Sequence, residues 1–235
     1  MSSVGQDINA KDGLWSFGNK VPKNFDDHVT NQVPYYLEGH DLILDLLPFF
    51  LRKKSKVLDI GCSTGTLVKK ISQKFDSYDL NIKAIDSEEE MIKEAISRRN
   101  KKNIEFVCEN FVEQKYQSYD VIISYYTMQF IPPSIRQEAF NNIFKSLNWG
   151  GAFIFFEKVR APDARFQDFS NQIYAEFKES KGFSADEIAN KSKSLKGVLE
   201  PFSTQGNIDL LQRANFIDVW PVFKWVCFQG FCVIK

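Results

Sequence analysis

From Ser55 to Lys158 the chain alternates short β-branched runs with helical patterns, and this alternation restricts the possible fold more than any other feature. "KVLDI" (Lys56 to Ile60) leads into "TLVKKISQKF", where Leu67, Val68 and Ile71 mark one helical face. "NIKAID" (Asn81 to Asp86) leads into "EEEMIKEAISRRN" (Glu88 to Asn100), whose acidic start and basic end suit the helix dipole. "IEFVCEN", "YDVIISYY" (Tyr119 to Tyr126), a helix from about Ser134 to Leu147, a turn at "NWGG" and "AFIFFEK" (Ala152 to Lys158) continue the series. Strands separated by helices return by right-handed crossovers, so the expected product is a parallel sheet with helices on both faces.

After Lys158 the rhythm changes. Residues 162–201 carry only helical and polar patterns and read as a helical insertion above the sheet. A helix near Thr204 to Ala214 returns to "FIDVWPVFKWVCFQGFCVIK", two strands that pair as an antiparallel hairpin turning near Pro221 to Lys224. The predicted fold class is therefore α/β, a mostly parallel seven-stranded sheet with a C-terminal antiparallel hairpin. Residues 1–50 form an N-terminal helical or lid segment and residues 51–235 the main domain. "DLILDLLPFFL" (Asp41 to Leu51) reads as an amphipathic helix, and residues 1 to about 24 as loosely ordered.

Composition narrows the function. Thirty Lys and Arg balance thirty Asp and Glu, so bulk charge predicts no direct nucleic-acid binding and no acidic-membrane partner. The longest early apolar run is far short of the ~20 residues that cross a bilayer, and the N-terminus resembles no secretory signal. Cys62, Cys108, Cys227 and Cys232 have no CxxC spacing, and His28 and His40 are the only histidines, which predicts no metal site. Free thiols fit a cytoplasmic location.

"VLDIGCSTGTL" (Val57 to Leu67) poses the ligand question. A dinucleotide fingerprint would need glycines where Ser63 and Thr66 stand, and a triphosphate loop would need G-K-[ST] after Gly61 and Gly65. A tight turn with two glycines survives, expected to present backbone N–H groups to a ligand that needs close approach but little anion neutralisation. An adenosyl sulfonium meets that description. Asp86 closes the next strand, where a carboxylate can accept both ribose hydroxyls. Asn110 and Phe111 follow the third, where an amide oxygen could accept from an adenine amino group and a ring could stack on it.

With these motifs on the page, the chain resembles the class I S-adenosylmethionine-dependent methyltransferases: Asp59, Gly61 and Gly65 match the first motif and Asp86 the second. It is most similar to the carboxy-S-adenosylmethionine synthases, through "FDDHV", "VPYY", "DIGCSTG", "TMQFIPPSIRQ", "LNWGGAFIFFEK" and the stretch from "FKESKGFSADEI" into "KSLKGVLEP". The resemblance implies a Rossmann-like class I methyltransferase fold. It also implies S-adenosylmethionine as cofactor and a family role in wobble-uridine modification of tRNA, with prephenate as the second substrate. Carried over residue by residue, it places the cofactor-binding residues at Tyr36, Asp59, Gly61, Cys62, Ser63, Gly65, Asp86, Ser87, Asn110, Phe111 and Tyr125. One departure stands out: the arginine with which the family holds the extra carboxylate is replaced by Ser192, flanked by Lys191 and Lys193. Because lysine lacks arginine's planar fork, the departure favours S-adenosylmethionine itself, with S-adenosylhomocysteine as product, over the carboxylated cofactor.

The expected function is methyl transfer to a small-molecule acceptor. Carboxy-S-adenosylmethionine synthesis, with Lys191 or Lys193 doing the arginine's work, and a non-catalytic cofactor-binding or dimerisation module are the alternatives. Glu157, Tyr125 and His28 are the candidate catalytic residues. Glu157 is expected to face the methyl group as base or orienting acceptor, or else to pair with Lys158 or Arg160. Tyr125 and Tyr126 read as one core residue and one pocket wall. His28 belongs on the surface unless the N-terminal segment, with Trp15 and Phe17, closes as a lid. "NKSKSLK" (Asn190 to Lys196) reads as a solvated helix face, and the insertion as the surface for a possible homodimer.

Overall fold

The computed structural model describes residues 2–5, 8–18, 21–98, 103–113 and 117–235. Seven strands form the sheet: β3 (Lys56–Ile60), β4 (Asn81–Asp86), β5 (Ile104–Cys108), β6 (Tyr119–Tyr125), β7 (Leu147–Lys158), β8 (Asp218–Trp225) and β9 (Phe228–Ile234). Their order is β5-β4-β3-β6-β7-β9-β8; the first five run parallel and β9 lies antiparallel between β7 and β8. A minute hairpin, β1 (Ser2–Ser3) with β2 (Asn9–Ala10), precedes them. The helices are α1 (Val21–Gln32), α2 (Tyr36–Leu46), α3 (Thr66–Lys74), α4 (Glu89–Ser97), α5 (Pro133–Ser146), α6 (Ala164–Ser180), α7 (Ala185–Ser194) and α8 (Thr204–Arg213). None among the described residues is long and apolar enough to cross a membrane.

Strands buried on both faces cannot alternate polar with apolar. That is why "VLDI" and "VIIS" read as continuous runs. In β7 the sequence "AFIFF" is buried throughout, with Phe153 and Phe155 on one face and Ile154 and Phe156 on the other. Burying each such ring stabilises by roughly 1.5–3 kcal/mol, so this strand anchors both core layers.

Three boundaries differ from the sequence reading. The C-terminal hairpin turns at Val226–Cys227, not near Pro221 to Lys224, which lie within β8. An edge strand tolerates proline because one side of it needs no ladder bond, and the ladder shifts register between Pro221 and Phe223. Next, "NWGG" is not a free turn before its strand; β7 starts at Leu147, paired with Tyr119. Gly151 is required there, because a Cβ would meet the Asp120 carbonyl oxygen at 2.7 Å. Last, the described part of the N-terminus is packed: Val4, Ile8, Trp15, Val21 and Phe25 are buried with Met91 in a third apolar cluster. The basic end predicted for the fourth helix reaches past Arg98 into residues outside those described.

The insertion consists of α6 and α7. Ser184 accepts from the Glu187 N–H while the Glu187 carboxylate accepts from Ser184, a capping box worth about 1 kcal/mol that sets where α7 starts. Gly13 and Trp15 donate their N–H groups to the Lys193 and Ser194 carbonyls, tying the N-terminal segment to the end of α7.

Candidate active site

The carboxyl ends of β3, β4, β5 and β6 open into one cavity of about 1040 Å³, closed on the far side by α1, α6, α7 and the segment around Trp15. Crevices beyond the strand ends are where open α/β sheets bind ligands.

On the floor, Gly61 takes φ +74 and a Cβ there would collide with the Thr127 side chain. Only glycine permits this approach. The turn does not work as expected, however. The Gly61 and Cys62 N–H groups both donate to the Ile85 carbonyl, Gly65 donates to Cys62, and Ser63 donates to Asp86 Oδ2 at 2.9 Å. These donors are engaged within the protein, so the turn offers shape rather than an anion nest, which disfavours phosphate and leaves room for an uncharged edge of a nucleoside.

Asp86 lines the cavity, its Oδ1 accepting from the Glu88 N–H at 3.0 Å. Each oxygen keeps a second lone pair for a ribose hydroxyl. Burial, the largest influence, raises its pKa, and hydrogen bonds from Glu88 and Ser63 oppose that. Ser87, Phe111 and Tyr36 line the same wall. Asn110 does too, but its Oδ1 already accepts from the Val112 N–H, so it shapes the loop as well as facing the cavity.

Four predicted contacts lie elsewhere. Gly65, at φ +73, starts α3, and a Cβ there would strike Phe106, so it serves helix packing. Cys62 and Asp59 line a separate pocket of about 20 Å³ behind the turn, together with His40. Asp59 is buried, its Oδ1 without a hydrogen-bond partner among the described residues, and burial, followed by Asp86, pushes its pKa up to about 7. Glu157 is also outside the cavity. Strand alternation puts Lys158 on the cavity side instead, and Glu157 lies fully buried, accepting from the Gln129 N–H at 3.0 Å. It pairs with neither Lys158 nor Arg160; burial raises its pKa to about 8 against the pull of Arg136. Gln129 in turn donates to the Tyr126 carbonyl and accepts from the Lys158 N–H.

Tyr125 lines the cavity, but its hydroxyl donates to the Tyr36 carbonyl at 2.6 Å, over Gly39. Burial raises its pKa well above the ordinary tyrosine value. It clamps α2 to the sheet and is poorly placed to move a proton. Tyr126 is equally buried, at φ +62, and both tyrosines are walls as well as core.

His28 is not on the surface. It is 4% exposed, lines the cavity, and is held neutral, since burial and then Lys191 lower its pKa to about 3. Trp15 and Phe17 of the N-terminal segment lie beside it in the cavity wall. "NKSKSLK" is not merely a solvated face either: Lys191 is buried, while Ser192 and Lys193 are exposed at the rim.

Two lysines escaped the sequence reading. Lys158 Nζ stands 4.5 Å from the centre of the Tyr174 ring and Lys178 Nζ 4.3 Å from it. With Lys191 they line one wall of the cavity, and no ion pair among the described residues includes any of the three. Burial lowers all three pKa values, that of Lys178 to about 8. A signal existed: Lys178 follows Tyr174 by one helical turn on a face where solvated lysine is not expected. Among the described residues no group of three or more His, Cys, Asp or Glu could hold a metal.

Residues 57–151 match a family model described as a methyltransferase domain. The chain is 34% identical over 226 residues to a carboxy-S-adenosyl-L-methionine synthase of Campylobacter lari, covering 94% of each chain. It is 34% identical over 222 residues to that of Staphylococcus epidermidis, covering 94% of this chain and 97% of the relative. Among solved structures, phosphoethanolamine N-methyltransferase 2 of Haemonchus contortus superposes with a TM-score of 0.66 at 13% identity, over 92% of this chain and 57% of that one. A methyltransferase solved with the Trm112 activator of Haloferax volcanii gives 0.60 at 13% identity, over 93% and 99%. These likenesses establish the seven-stranded class I fold.

Proposed function

The chain belongs to the carboxy-S-adenosyl-L-methionine synthase family of S-adenosylmethionine-dependent transferases, and on that premise we propose that it transfers a carboxyl group to S-adenosylmethionine, the donor's bond to its carboxyl carbon breaking, a new one forming at the methyl carbon, and the displaced methyl proton leaving with the donor's remainder. The wall of Lys158, Lys178 and Lys191 carries this reading. Three cavity-lining amines with no paired acid among the described residues suit an anionic co-substrate and a carboxylated product, whose charge favours their protonated forms. Ser192 leaves the family's arginine position neutral, but Lys191, one residue away, places inside the cavity an amine that takes up a proton when an anion arrives.

The residues fit the nucleoside. Gly61 admits close approach, Asp86 and Ser87 face the ribose position, and Phe111 offers a ring to the base. S-adenosylmethionine, when bound, supplies a methyl group activated by its sulfonium. The chain's own part is to align the two substrates, exclude water beneath the Trp15 segment, and neutralise the donor carboxylate on the lysine wall. At about 1040 Å³ the cavity lies at the upper end of the usual range for small-molecule sites.

Methyl transfer to a small acceptor is the second reading, favoured by Ser192 itself. Incubation with S-adenosylmethionine and prephenate, followed by mass spectrometry of the nucleoside, separates them: carboxylated S-adenosylmethionine supports the proposal. Failure to form it, with S-adenosylhomocysteine accumulating when other acceptors are offered, favours methyl transfer.

Two further expectations accompany the proposal. The exposed Phe166, Phe169 and Ile173 along α6 support a homodimer through the insertion, testable by sedimentation. Four free cysteines fit a cytoplasmic setting, where the product would feed wobble-uridine modification of tRNA, as the resemblance implies.

A further inference from the structure

One corner of the cavity, beneath the N-terminal segment, has a chemistry of its own. There Lys191 Nζ on α7 lies 3.3 Å from His28 Nε2 on α1 and over the indole face of Trp15. Trp15 and His28 stack with ring centres 5.8 Å apart at 16°, and Phe183 meets His28 edge-on at 6.5 Å. Trp15 and Lys191 are each 7% exposed, and both line the cavity. The Trp15 indole N–H is buried with no hydrogen-bond partner among the described residues.

A buried donor left unpaired costs roughly 1–3 kcal/mol, and a buried ammonium costs more. The groups facing Lys191 are Trp15 from the N-terminal segment, neutral His28 from α1 and Lys178 from α6. None is an acid. Burial first and Lys178 second disfavour the charged form of Lys191. Two donors therefore stand together with an imidazole to steady one of them and no acceptor to satisfy both, an arrangement complementary to an anion.

We infer that Trp15, His28 and Lys191 form the docking point for the carboxylate of the second substrate, and that this carboxylate enters together with a proton taken up by Lys191. The inference rests on the reading that the lysine wall receives an anionic co-substrate, and names where it does so. No covalent bond forms. The Lys191 amine gains one proton from solvent; the resulting ammonium donates to the carboxylate and to His28 Nε2, and the Trp15 N–H donates to the carboxylate.

Titration calorimetry of the full chain with malonate near neutral pH, in HEPES and in Tris, reads affinity together with proton uptake. The wild type should bind with net proton uptake. Lys191→Met should weaken binding by roughly tenfold or more and abolish the uptake. Lys191→Arg, which supplies a permanent charge, should retain binding without uptake, because guanidinium is always protonated. Trp15→Phe keeps the ring and loses only the N–H, and should weaken binding by roughly threefold. Equal affinity in wild type and Lys191→Met, binding without proton uptake in the wild type, or no binding at tens of millimolar would each overturn the inference. S-adenosylmethionine binding, measured separately on the same proteins, tests the proposed function. Its failure with malonate binding intact would sink that reading alone.

Discussion

Asp86 Oδ2 accepts the Ser63 backbone N–H at 2.9 Å, so the carboxylate assigned to the ribose also shapes the glycine turn. Substitution should therefore affect ligand and fold together. Asp86→Ala is expected to weaken S-adenosylmethionine binding by about 100-fold and to cost on the order of 1–3 kcal/mol of stability. Asp86→Asn, which keeps one acceptor, should fall between. Calorimetry with thermal unfolding checks both effects, and undiminished binding by the alanine variant would remove Asp86 from the site.

Gly61→Ala introduces a Cβ into the Thr127 side chain at positive φ. The expected loss is about 1–3 kcal/mol of stability, together with most of the nucleoside affinity. Adding Thr127→Ala takes away two of the three colliding atoms and should restore part of the stability. A second substitution that restores nothing would place the whole cost in the backbone conformation.

Glu157 is expected to make the stability of the fold depend on pH. Its folded pKa, raised to about 8, lies above its unfolded value, so its contribution is fully present below about pH 4 and is lost as pH rises through 8. Asp59, raised to about 7, acts with the same sign. Glu157→Gln keeps an acceptor for the Gln129 N–H and should unfold at a higher temperature than wild type at alkaline pH, by roughly 2–4 °C for each kcal/mol recovered. The advantage should fade toward acid. A constant difference across the range would show that Glu157 does not titrate in this window.

Lys178 works in the opposite sense. Burial and then Lys158 depress its folded pKa to about 8, so stability is lost as pH falls from the unfolded value of about 10.4 through 8. Lys178→Met should flatten that loss and stabilise the protein near neutrality, while lowering affinity for the anionic co-substrate by roughly tenfold. Stability without any loss of affinity would take Lys178 out of the binding wall.

Tyr125→Phe removes one hydrogen bond, to the Tyr36 carbonyl, and leaves the tilted ring contacts with Tyr36 and His40 in place. The expected cost is about 1 kcal/mol of stability, with the rate at saturating substrate nearly unchanged. A large fall in kcat would restore Tyr125 as a catalytic candidate.

The parallel sheet was legible in the sequence because strands buried on both faces must be apolar throughout, as "VLDI" and "VIIS" are. The hairpin turn was misplaced for a local reason: Pro221 resembles a turn residue, yet an edge strand accepts it, and the true turn at Val226 has φ +41 with no glycine to announce it. That Gly61, Asp86 and Phe111 line the cavity was legible because each lies at or just past a strand end. Glu157 was not correctly placed, because a one-residue step along β7 moves a side chain to the other face of the sheet. Likewise the N–H groups of the glycine turn could not be known to be engaged until Ile85 and Asp86 were seen beside them.

Local pattern alone settled the order of strands and helices and the absence of a phosphate loop, since periodicity and glycine spacing act over a few residues. Tertiary structure decided which charges face the cavity and how they are protonated. His28 and Lys191 are far apart in the chain and become partners only when α1 and α7 close over the sheet. Burial, which sets their protonation, depends on neighbours that no local stretch contains.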